Sequence, residues 1–207
     1  MEILKMKTIT LLMLLITVLT ANSQTQEQLK TAFAKSYSLE SEYKYSEAIE
    51  ILSQIYSEKK YEINFRLGWL QYLAGNNNQS IIYYQIAIKL MPAATEPHWG
   101  IINPYAAKED WVNVEKTYLE ILKLDSKNYL ANYRLGLIYY YRKNYSKAQP
   151  YFNTVLNLNP FDYDILLITA WTNFFLGKNN DAKVLFNKAL LNRPNDVSAL
   201  EGLSLIK

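Results

Sequence analysis

Apolar and small residues recur along this chain at a spacing of 34, and the same spacing separates the polar and proline breaks between them. Counting from Pro92 in steps of 34 meets Ser126, Pro160 and Pro194, and counting from Ser80 meets Val114, Ala148 and Ala182. A third column, Tyr84, Tyr118, Phe152 and Phe186, is aromatic throughout, and Gly68 and Gly136 stand two periods apart. Each period divides in two. From Tyr61, residues Leu67, Gly68 and Leu70 recur at helical spacing; a polar turn follows at Gly75-Asn76-Asn77-Asn78; a second helical stretch carries Ile81, Tyr84, Ala87 and Ile88. Pro92 closes it, because proline lacks the amide that a continuing helix needs. Such a period predicts stacked helix-turn-helix hairpins, since one hairpin cannot bury its apolar face alone.

The plan repeats from Tyr129 with Leu135-Gly136, Tyr139, the turn Lys143-Asn144-Tyr145, Ala148, Phe152, Val155 and Pro160, and from Tyr163 with Ala170, the turn Gly177-Lys178-Asn179, Ala182, Phe186, Ala189 and Pro194. These residues resemble the tetratricopeptide repeat family, whose pattern asks for a Leu-Gly pair, an aromatic three places on, a small residue opening the second helix, then an aromatic, an alanine and a closing proline. The resemblance covers residues 29–196 and implies an all-α, right-handed α-solenoid of about five repeats: 29–60, 61–94, 95–128, 129–162 and 163–196. Residues 197–207 are expected to form a short capping helix through Ala199, Leu200, Leu203 and Ile206, because the last apolar face would otherwise meet water. The small slots are expected where two helices approach closely, Gly68 against Ser80 and Gly136 against Ala148.

Two repeats depart from the pattern. The first has a recognisable second helix at Tyr45-Ser46-Glu47-Ala48-Ile49 but lacks the Leu-Gly pair and the closing proline, and it is two residues short before Tyr61. The third places Ile102 and Val114 in its small slots and carries Pro97 and Pro104 in its first helix. Pro97 falls near the start, where proline is tolerated; Pro104 falls in the interior, where a lost hydrogen bond costs about 3 kcal/mol and a kink is expected. Pro150, early in a second helix, is a milder case.

Composition narrows the function. Of 207 residues, half are hydrophobic and a fifth charged, and the net charge of +3 is spread along the chain. No basic block offers the footprint that nucleic-acid phosphates require, so no nucleic-acid partner is expected. Lys5 and Lys7 precede a 13-residue apolar stretch, Thr8 to Thr20, and small residues follow at Ala21 and Ser23. That is the form of an export signal, expected to cover residues 1–23 with cleavage before Gln24 and to send residues 24–207 to the periplasm or the exterior. The stretch is short against the ~20 residues that span a bilayer, so a retained anchor is the weaker alternative and no span is expected after cleavage. With no cysteine, neither disulfides nor a lipid attachment site contributes.

Five periods take up nearly all of residues 24–207, so no separate catalytic domain is expected among them. There is no nucleophile elbow, phosphate-cradling loop or metal-ligand spacing, and the one histidine, His98, has no evident catalytic partner. No catalysis, cofactor or metal is expected. Eighteen tyrosines and four tryptophans exceed what helix packing needs. The resemblance implies that the first helices line a concave surface. On it, Phe65, Trp99, Tyr133 and Leu167 form one column; Trp69, Asn103, Leu137 and Trp171 a second; Tyr72, Ala106, Tyr140 and Phe174 a third, with Arg66 and Arg134 beside them to hold a carboxylate or stack on a ring. The Lys-Arg-Asn clamp by which the family grips a terminal carboxylate is not assembled. The expected role is an exported module that binds a protein or peptide along an aromatic groove. The alternative is a structural subunit of an envelope machine, for secretion, motility or polysaccharide handling, or a self-associating scaffold in which the same rings are subunit contacts.

Overall fold

The computed structural model describes residues 26–206. The expected signal segment, residues 1–23, and its cleavage before Gln24 lie outside the described residues, as does Lys207 at the end of the expected cap. Every regular element among the described residues is helical. They fall into two compact units that part between Lys108 and Glu109, inside the third repeat.

The first unit holds α1 (residues 26–41), α2 (Tyr45–Ser53), α3 (Tyr61–Leu73), α4 (Asn77–Leu90) and α5 (Glu96–Ala107). Here α3 packs on α2, α4 and α5, and α4 packs on α5. Its core joins Leu39, Ala48, Leu52, Ile63, Leu67 and Leu70. The irregular first repeat shows in α2, which stops after 9 residues where α4 runs for 14. The second unit holds α6 (Trp111–Leu124), α7 (Tyr129–Tyr141), α8 (Tyr145–Leu158), α9 (Tyr163–Phe175), α10 (Asn179–Asn192) and α11 (Val197–Leu205). Successive helices pack in antiparallel pairs, and α11 covers both α9 and α10 as the expected cap does.

The sequence period is the helix period: α4, α6, α8 and α10 start 34 residues apart and each is 14 residues long. Chain reversals repeat too. Tyr43, Gly75, Glu109, Lys143 and Gly177 all have positive φ, the left-handed conformation that ends a first helix. Side chains cap some of the helices, as where Asp110 Oδ1 accepts from the Asn113 amide at the start of α6 and Asp162 Oδ1 from the Ile165 amide at the start of α9.

Leu67, Leu135 and the rings of Tyr84, Phe152 and Phe186 are buried, as are the small slots Ser80, Val114, Ala148 and Ala182. The close approach is real but its cause differs from the expectation. Ser80 does face Gly68, its hydroxyl donating to the Gly68 carbonyl at 2.7 Å. What forbids a larger residue at Gly68 and Gly136, however, is the aromatic rung itself: a Cβ there would run into the rings of Tyr84 and Phe152. Gly100 and Gly202 press on Tyr84 and Phe186 in the same way. Pro104 does not interrupt α5, which runs continuously to Ala107. The proline is buried in the column of Leu70, so its ring supplies core packing while the Gly100 carbonyl forgoes its helical donor.

Candidate functional site

In the first unit the exposed faces of α1, α3 and α5 meet around a cavity of about 490 Å³. Residues one turn apart on each helix line it: Phe33 and Tyr37 from α1, Tyr61, Phe65 and Trp69 from α3, Glu96, Trp99, Gly100 and Asn103 from α5, with Tyr84 of α4 as the floor. Tyr61 stacks on Phe65 with centroids 5.8 Å apart, and Phe65 meets Tyr84 edge-on at 5.9 Å. The Tyr61 hydroxyl donates to Glu96 at 3.0 Å, and burial together with that bond pushes its pKa up to about 12. A shallower hollow shares Tyr37, Arg66 and Trp69 with this cavity and carries the trough on to Tyr43 and Tyr45.

Of the residues expected on the groove, Phe65, Arg66, Trp69, Trp99 and Asn103 therefore meet at one place. Tyr72 stands aside, tilted against Trp69 at 5.8 Å. Arg66 is engaged within the unit, though its Nη2 has no hydrogen-bond partner in the protein. It is 5% exposed, ion-paired with Glu40, bonded through Nε to Ser36 Oγ at 3.2 Å, and lies 3.8 Å over the Tyr37 ring. The carboxylate it holds and the ring it stacks on belong to α1. Glu40 also accepts from Trp69 Nε1 at 2.7 Å, so the indole is held at the wall of the cavity.

In the second unit the expected residues mostly pack on one another. Tyr133 lies beside Tyr129 and Phe152; Tyr140 touches Tyr145, Phe152 and Phe175. Trp171 contacts Phe174, Phe175 and Phe186 and donates Nε1–H to Ser198 at 2.9 Å. Phe175, absent from the expected columns, ties the set together by stacking on Tyr145 at 4.5 Å. Leu137 is half-buried and Arg134 exposed on α7. These rings join the helices of the unit as packing, with Trp171 and Phe174 set against its hydrophobic core.

His98 has a structural task that its column explains. Asn64 Nδ2 donates to the Lys60 carbonyl at 2.7 Å, Asn132 Nδ2 to the Asn128 carbonyl at 2.8 Å, and His98 Nδ1 lies 3.0 Å from the Ala94 carbonyl. These residues are one period apart, all buried, and each clasps the turn entering a first helix. Glu115 is likewise structural. Burial raises its pKa, but hydrogen bonds from Tyr139 and Arg142 and the Arg142 charge outweigh that and hold it below the ordinary value. Among the described residues no group of three or more His, Cys, Asp or Glu side chains stands together, and no helix is long and apolar enough to cross a membrane.

Known proteins share the helical-repeat fold. Residues 129–162 match the family described as Tetratricopeptide repeat. The human protein named Tetratricopeptide repeat protein 6 is 29% identical over 105 residues, which is half of this chain; the match spans about a fifth of that relative's length. A solved tetratricopeptide repeat protein from Parabacteroides merdae superposes with a TM-score of 0.66 at 20% identity, covering 85% of this chain and 71% of its own. The solved MamA protein gives 0.64 at 16% identity, covering 79% and 91%. The fold is that of these all-α repeat solenoids.

Proposed function

We propose that this chain, one repeat of which matches the tetratricopeptide repeat family and whose fold is shared by solved repeat proteins, is an exported protein-protein interaction module that holds a segment of a protein partner in the aromatic trough of its first unit. The observation carrying this is the cavity of about 490 Å³ in which Phe65, Trp69 and Trp99 converge. Its size suits one or two anchoring side chains, and its aromatic walls supply the residues that dominate binding energy at interfaces. Export is supported by Lys5 and Lys7 ahead of the apolar stretch Thr8 to Thr20.

The test is a cross-linking pull-down with the full chain from its native envelope, comparing wild type with Phe65→Ala/Trp99→Ala at matched helicity. Truncating two half-buried aromatic anchors, each contributing about 2 kcal/mol on contact with the partner, should abolish capture. Undiminished capture would move the interface off the trough. Elution of the purified chain as a stable oligomer, with the cavity residues protected, would favour the self-associating scaffold instead.

A further inference from the structure

We propose that the first-unit cavity selects segments in which a large apolar or aromatic side chain stands next to a lysine or arginine; this rests on the partner-binding reading above. The interior of the cavity is uncharged ring surface from Phe65, Tyr84, Trp69 and Trp99. The charges that line it are Glu62, Glu96 and Arg66. Arg66 is buried and already paired with Glu40, whereas Glu62 and Glu96 are exposed and neither is ion-paired with a cation among the described residues. Around a neutralised interior the mouth is therefore net negative.

The two carboxylates also lie near Tyr61, whose hydroxyl feels the charge of both. Glu96 is held by the Tyr61 hydroxyl, and Tyr61 in turn stacks on Phe65 with its plane tilted by 9°. A cationic side chain arriving there gains the charge of Glu96 and Glu62 and the face of an aromatic ring at once. The neighbouring side chain of the same segment then reaches the apolar interior. An acidic segment meets uncompensated repulsion at the same mouth, so charge supplies the discrimination and the rings supply the anchor.

The experiment is selection from a library of random short peptides on the full-length chain, followed by affinity measurement of the enriched peptides. The expected result is enrichment of aromatic residues adjacent to Lys or Arg. Affinity should fall about fivefold in Glu62→Gln/Glu96→Gln, as expected for the loss of two exposed ion pairs, and should also weaken with added salt. Enrichment of apolar peptides indifferent to charge, or an unchanged preference in the doubly neutralised variant, would overturn the charge rule and leave the trough as the binding site. Peptides that bind Trp99→Ala and Asn103→Arg as well as wild type would overturn both; the second variant adds bulk at an exposed position and so does not depend on refolding a wall. Displacement of the peptides by a second copy of the chain, or by a neutral oligosaccharide, would assign the cavity another occupant and end the proposal.

Discussion

Gly100→Ala should destabilise the first unit even though alanine is the better helix former. In an exposed helix interior this change gains about 1 kcal/mol. At position 100 the new methyl group meets Cε1, Cζ and the hydroxyl of Tyr84, closer than real contacts allow. Tyr84 cannot swing away: it is 1% exposed, Phe65 lies edge-on against it, and Gly68 presses on its ring from α3. Overpacking of this kind costs about 1–3 kcal/mol, so the net effect is a loss of about 1 kcal/mol rather than a gain. Urea unfolding followed by helical circular dichroism reads it directly. Shortening the opposing ring should relieve it, so a double-mutant cycle of Gly100→Ala with Tyr84→Leu should show a favourable coupling of about 1 kcal/mol. A Gly100→Ala protein stabilised by the full propensity gain, with no coupling to Tyr84, would refute the rung packing. A shift of α5 that relieves the clash would carry Trp99 and Asn103 with it, so peptide binding should weaken in step.

Glu109 and Lys143 occupy the left-handed turn position that Gly75 and Gly177 fill without strain; Glu109→Gly and Lys143→Gly should each stabilise by about 0.5–1 kcal/mol, read as a raised urea midpoint. His98→Asn should preserve stability because Asn64 and Asn132 make the same bond, while His98→Leu should cost about 1 kcal/mol in thermal unfolding. Because the folded pKa of Glu115 lies below its ordinary 4.5, its stabilising contribution is complete above that pH and is lost as pH falls through the lowered value. Arg142→Gln should flatten this acid dependence of the unfolding midpoint, and an unchanged slope would remove Glu115 from the account.

The repeat architecture was legible because each period places the same side-chain class at the same point of the same helix. The rung Tyr84, Tyr118, Phe152 and Phe186 could hardly mean anything else. The site was only half legible. Column counting put Phe65, Trp69 and Trp99 on one face, but the partners of Arg66 come from α1, whose repeat is two residues out of step, so no column pointed to Ser36 or Glu40. Trp171 and Phe174 read as groove residues, and no column pointed to Phe175, one place outside, which stacks on Trp171 and meets Phe174 edge-on. The clasp column was missed because His98 stands between Asn64 and Asn132 and breaks the identity of the column while offering a ring nitrogen at the same reach; aligning polar residues by hydrogen-bonding capacity would have found it.

The most direct test of the proposed trough is site-specific photo-cross-linking from within it. A photoreactive phenylalanine analogue placed at Phe65 in the full chain, expressed in its native cell, should yield a discrete partner adduct on illumination. The same group placed at Val112, an exposed position on α6, should yield none. Adducts from position 112 with none from position 65 would contradict the proposal that the partner is held against the rings of the first unit.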